Sequence, residues 1–257
     1  MPAPSKIKKE KKAATAKAPS AARVMSRRDR VREGTLAEIH AVARKLLIEQ
    51  GSAAVTINAI ARAIGMSGPA LYYYFGSHEE LVGAVTADFY RELAETMEAA
   101  RDAHRSAPAA RRLMSICRAM RGWAKAHPAE FGWIFASPVT PSNRAPGSPR
   151  YRAGQRCEQV FLDEVVAIWE AKPFPVPKLE ELPPSLRKQL RSYAATLEGR
   201  LPPAAVHVFL KGWIRLYGLL CMEVLHQLDF AYSDMEPIFE ECLQDLSVML
   251  ALESPWK

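Results

Sequence analysis

Between Thr56 and Leu81 the chain reads TINAIARAIGMSGPALYYYFGSHEEL, a stretch dense in hydroxyl, amide and aromatic side chains. Such a cluster suits polar contacts with a nucleic acid rather than catalysis. Ile60, Ala61 and Ile64 recur at helical spacing and give a first short helix one apolar face. Gly65 follows its last turn, where a helix end needs a left-handed residue. Ser67 then stands as an N-cap, with Pro69 near the first turn, where its missing N–H costs nothing. Leu71 and Phe75 fall four apart and bury together, which turns Gly68, Ala70 and Tyr73 outward and leaves Tyr72 and Tyr74 at the boundary. Two short helices joined by a tight turn make a helix-turn-helix, whose second helix enters the major groove of DNA.

Other chemistry is hard to find. The sequence contains no G-x-x-x-x-G-K-[ST], G-x-G-x-x-G, G-x-S-x-G or H-E-x-x-H. His40, His78, His104, His127, His207 and His226 show no metal-ligand spacing. Cys117, Cys157, Cys221 and Cys242 are scattered, with no C-x-x-C pair, and read as small reduced residues rather than redox sensors. The expectation is therefore no catalysis, no metal and no cofactor. A triad assembled from distant residues, in a helical enzyme acting on small molecules, is the enzymatic reading left open.

The elements that must hold the motif are all helical in pattern. A helix to about Glu49 buries Ile39, Val42, Ala43, Leu46 and Leu47, and Gly51 ends it. Ser77 caps a long helix in which Leu81, Val85, Phe89, Leu93 and Met97 keep a 3.6-residue period and link the motif to the rest. Beyond residue 106 no strand alternation or hairpin turn appears. Helices are expected at about 109–126, from Pro128 through AEFGWIFAS, at about 154–171, 204–227 and 235–252. Two proline-rich connections, at 137–150 with four prolines and 173–184 with five, are too dense in proline for helix interiors. The helix at 204–227 is apolar on more than one side, which calls for a second partner besides its own domain. Gly212 and Gly218 within it cost roughly 1 kcal/mol each relative to Ala, which close approach by another helix would explain.

The pattern T-x-x-x-I-A-x-x-x-G-x-S-x-x-x-L-Y-x-Y-F-x-S resembles the DNA-binding domain of the TetR family, the tetracycline-repressor-like regulators of bacteria. The resemblance is strong from about Arg30 to Val85 and continues through helix count and spacing. It implies an all-α fold with an N-terminal three-helix helix-turn-helix domain, residues 27–80, and a larger C-terminal helical bundle for ligand binding and dimerisation, residues 81–257. Carried over to matching positions, Thr56, Tyr72 and Tyr73 resemble phosphate contacts, and Asn58 can reach a base edge, adenine above all. Ser67 is grouped with them, while Gly68, Pro69 and Ala70 offer small apolar surface to thymine methyls. His78 and Gly68 stand where many relatives carry cations, which weakens local attraction. Trp213-x-x-x-Tyr217-Gly218 resembles the W-x-x-x-H-G signature of one C-terminal subclass, with Tyr217 in place of the histidine. The family's apolar effector cavity points to Trp123, Phe135, Phe161, Trp213 and Tyr217 as lining.

Charge completes the reading. Of the net +7, residues 1–32 hold eleven cations against Glu10 and Asp29, so the other 225 residues sum to −2. Residues 1–26, rich in Lys, Ala, Pro and Ser, are expected to be a disordered basic arm that lies along DNA phosphates. No uncharged apolar run approaches the roughly 18 residues of a membrane span, and no apolar segment follows the lysines as an export signal requires. The expected protein is a cytoplasmic, nucleoid-associated homodimer on a palindromic operator, released by a small apolar or aromatic effector. Its rival is an unregulated DNA-compacting protein that uses the basic arm.

Overall fold

The computed structural model describes residues 26–252, so the expected arm at 1–25 lies outside the described residues. In chain order the helices are α1 Arg27–Gln50, α2 Ile57–Ala63, α3 Gly68–Tyr72, α4 His78–Ala103, α5 Ala109–Ala126 and α6 Pro128–Phe135. They continue as α7 Pro141–Arg144, α8 Pro149–Ala171, α9 Pro184–Thr196, α10 Pro203–Val224 and α11 Glu236–Met249. No strand occurs among the described residues, and the fold is all-α.

Side-chain caps fix where the first helices begin. Thr56, Ser67 and Ser77 accept from the backbone N–H groups of Ala59, Ala70 and Glu80 at 3.2, 3.3 and 3.1 Å. Each satisfies an otherwise orphaned amide, worth about 1 kcal/mol. Ser26 does the same for α1: its hydroxyl accepts from the Asp29 N–H, and the Asp29 carboxylate accepts from the Ser26 N–H. Ser26 is therefore part of the folded domain, one residue inside the arm boundary expected from composition. At the end of α2, Gly65 has φ +70°, and Met66 donates to the Ala61 carbonyl while Gly65 donates to Arg62. This pair of hydrogen bonds closes the helix and turns the chain into α3.

The long helix α4 is the spine. Leu81, Val85, Phe89, Leu93 and Met97 are all buried along it, where α4 packs lengthwise on α8 and α5. Leu81 in its first turn is buried with Leu71 and Phe75 of the motif, so one rod serves both parts.

Two expectations need correction. Helix α8 starts at Pro149, not 154, because Ser148 caps it and proline is at home in a first turn. Helix α9 is an addition to the expected elements: the proline cluster ends at Pro184, which opens that helix, and Leu190 and Ala194 bury one face of it. Of the two glycines in α10, Gly212 meets Leu246 of α11 in the same chain, whereas a Cβ on Gly218 would find open space. The close helix approach expected at Gly218 has no partner among the described residues.

Candidate nucleic-acid interface and effector cavity

The second helix of the motif presents Tyr72 and Tyr73 to solvent, Tyr73 at 67% exposure, while Leu71 is wholly buried. Tyr72 thus stands farther out than the boundary position expected for it. The Thr56 and Ser67 hydroxyls accept in their caps, which leaves each O–H free to donate to a phosphate oxygen. Asn58 lies across the turn from Gly68, whose missing side chain makes room for it: a Cβ there would come to 3.1 Å from the Asn58 Oδ1. Pro69 and Ala70 complete the small apolar opening of α3. His78 braces the motif, with Nε2 at 2.7 Å from the Val55 carbonyl, an arrangement that needs the proton on Nε2.

Two further residues join the site that the motif pattern does not single out. Arg28 Nη2 donates to the Tyr73 hydroxyl at 3.4 Å, and the Arg32 guanidinium lies 5.7 and 5.3 Å from the Tyr73 and Tyr74 ring centres. Both belong to the N-terminal charge excess, yet both sit on α1, folded beside α3. The signal that could have found them is their spacing, since arginines four apart share a helix face. Together they place positive charge where the tyrosine hydroxyls meet solvent.

Helix α1 is also tied to the C-terminal bundle. Arg44 donates through Nε to Glu130 Oε1 on α6 and through Nη1 to Glu92 Oε2 on α4, both at 2.7 Å. Glu130 is almost fully buried. Hydrogen bonding to Glu92 holds the Arg44 proton more tightly than in water. Burial alone would raise the Glu92 pKa, but donors Arg44 and Trp123 hold it below the ordinary carboxylate range.

A cavity of about 410 Å³ lies between α4, α8 and α10, within the size range of small-molecule sites. Phe135, Phe161 and Trp213 line it, as do Tyr90, Arg150 and Glu158. The two other aromatic residues assigned to the lining stand elsewhere. Trp123 is drawn away because its indole N–H donates to Glu92 at 3.1 Å and its ring stacks on His127. Tyr217 is turned aside to donate its hydroxyl to the Phe135 carbonyl at 2.5 Å. Among the described residues no group of three or more His, Cys, Asp or Glu side chains gathers as a metal site would require.

A capped helix-turn-helix on a helical bundle with an aromatic cavity defines the class of DNA-binding regulators with one such motif in the chain. Residues 39–85 match the model of bacterial regulatory proteins of the tetR family, and residues 113–246 match the tetracyclin repressor-like C-terminal domain. This chain belongs to the tetR family and is a DNA-binding transcriptional regulator. It is 36% identical over 145 residues to the HTH-type transcriptional regulator Rv1816 of Mycobacterium tuberculosis, covering 56% of this chain and 61% of that protein. The same figures hold for Mb1846 of Mycobacterium bovis, so the match spans about three fifths of these relatives' length. The crystal structure of the regulatory protein SCO4313 superposes with a TM-score of 0.63 at 30% identity, over 86% of this chain and 98% of that one. A TetR family transcription regulator from Marinobacter aquaeolei VT8 shares the fold at 14% identity, with a TM-score of 0.55 over 86% of this chain and 97% of that one.

Proposed function

We propose that this regulator is a cytoplasmic repressor that holds a palindromic operator as a homodimer and lets go when a small effector fills the cavity. One observation carries the proposal: a path of contacts from the cavity wall to α1, the helix that packs on the motif. Phe135, on the wall, ends α6; Glu130, on the same helix, grips Arg44 of α1. An effector that displaces Phe135 would tilt α6 and draw α1 with it, changing the set of the two recognition helices. It shifts the balance only by its differential affinity for the two arrangements.

In this reading Thr56, Ser67, Tyr72 and Tyr73 hold phosphates, Asn58 reads a base edge, Gly68, Pro69 and Ala70 face thymine methyls, and His78 lies at the edge of the DNA-facing surface. The second subunit docks on α10 and α11, where Ile214 is 65% and Val248 78% exposed. By length and composition α10 is the one described helix apolar enough to cross a membrane. Here it packs on α5, α6, α9 and α11, and Lys211, Arg215 and Glu223 interrupt it, so a protein partner accounts better for its uncovered apolar face.

Footprinting on DNA from the chain's own gene neighbourhood tests the reading. Sharp protection of one palindrome supports a regulator of this kind. Salt-sensitive coating without a boundary would replace it with the DNA-compacting alternative.

A further inference from the structure

We infer that the effector is an organic acid, an aromatic or aliphatic molecule whose carboxylate is received by Arg150 at one end of the cavity. The inference rests on the effector reading of the cavity given above. Arg150 and Glu158 both project from α8 into the same space, eight residues and so about 12 Å apart along the helix. They do not pair with each other, and neither side chain has a hydrogen bond or ion pair among the described residues.

Their unmet charges are not equivalent. Glu158 can discharge itself by taking a proton, and burial pushes its carboxyl above the ordinary range. A guanidinium cannot do this at any accessible pH. Arg150 therefore keeps its positive charge whatever the state of Glu158, and a partly buried charge without a partner gains from an opposite one. Arg150 is also set for the task. Its guanidinium lies 5.6 Å from the centre of the Tyr90 ring, which covers one face and leaves its N–H edges for a planar, bidentate acceptor. The Tyr90 ring is itself held by an edge contact with Phe135 and by the bare Cα of Gly154. The aromatic wall of Phe135, Phe161 and Trp213 then takes the apolar body of the molecule. Arg150 borders a second hollow together with Val82 and Asn143, so an acid drawn to it pulls on the segment that rests on α4.

The test uses the full-length chain and a neutral naphthylamine dye, with energy transfer from Trp213 that is lost in Trp213→Phe placing the dye in the cavity. Phenylbutyrate, its amide and phenylbutylamine then compete for the site at neutral pH. The acid should displace the dye at a concentration about tenfold or more below the other two. Arg150→Gln should keep dye binding but bring acid and amide level. Preference for the amine, equal competition in the wild type, or an acid preference that survives Arg150→Gln overturns the inference while the cavity reading stands. Failure of the dye to bind overturns the cavity reading and the inference with it.

Discussion

The side-chain oxygen of Asn143 lies against the bare Cα of Gly83, in the space that any Cβ at that position would occupy. Asn143 is buried, and its Nδ2 donates to the Glu79 carbonyl at 3.1 Å, while neighbouring Ser142 donates to the Glu79 carboxylate at 2.7 Å. The short helix α7 is thus latched onto the first turns of α4, directly behind the motif. Alanine is preferred to glycine in a helix interior by roughly 1 kcal/mol, but an overpacked side chain costs about 1–3 kcal/mol. Gly83→Ala should therefore destabilise the wild type to urea. In an Asn143→Ala background the same substitution should stabilise. A stabilising effect in both backgrounds would show that α7 yields freely and latches nothing.

The recognition helix separates packing from contact. Leu71→Ala removes a wholly buried side chain and should cost roughly 2–5 kcal/mol. Tyr73→Phe keeps the ring over which Arg32 lies and removes only an exposed hydroxyl, so thermal unfolding should barely move while operator affinity falls. Equal losses of stability for both would mean that the inner and outer faces are reversed.

The Arg44–Glu130 pair predicts how the proposed release by effector can be uncoupled. A double-mutant cycle with Arg44→Gln and Glu130→Gln should return an interaction energy of about 0.5–3 kcal/mol, since the two are in direct contact. Arg44→Gln should leave effector affinity for the free protein near the wild-type value and shrink the release of operator by effector. Undiminished release would route the signal through some other contact, with α7 the next to test.

The proposed dimer face is tested by bulk and by charge. Gly218→Leu finds open space within its own chain, so a shift to monomer in sedimentation reports on the partner alone. Ile214→Glu with Val248→Glu should give the same result and abolish operator binding. A wild type that sediments as a monomer at micromolar concentration sinks the dimer outright.

Local rules are enough to read the motif from its residues. Thr56, Ser67 and Ser77 cap helices that begin one residue later, and Gly65 carries the positive φ that its place in the sequence requires. What local rules cannot carry is sequence-distant partnership. Arg44 and Glu130 are 86 residues apart, and nothing in either neighbourhood names the other. The same blindness assigns Trp123 to the cavity, because aromatic spacing cannot reveal that its indole N–H is taken by Glu92. Helix α9 is hidden because the five prolines of its leading segment read as a loop, although the last of them is a helix opener. Gly212 and Gly218 look alike in sequence, and only tertiary packing distinguishes the one that touches Leu246.

Arg28 and Arg32 sharpen the expectation for salt dependence. From Glu33 to Leu81 the cations are Arg44, Lys45 and Arg62 against five glutamates, so the motif itself carries no basic footprint. Sequence-independent affinity for DNA must then come from α1 and from residues 2–25, which hold seven cations. Each phosphate neutralised adds about −0.9 to the slope of log K against log salt. Arg28 and Arg32 sit beside the Tyr73 side chain, so Arg28→Gln with Arg32→Gln should make the slope shallower by roughly two units per subunit if both reach phosphates. It should also weaken operator preference, because the pair helps set the exposed tyrosines. Deleting residues 2–25 should flatten the slope as well but leave operator preference over random DNA nearly intact, since contacts to phosphates carry little sequence information. An unchanged slope in the double substitution would place these arginines against the tyrosines for packing alone. An unchanged slope in the deletion would remove the N-terminal lysines from the interface.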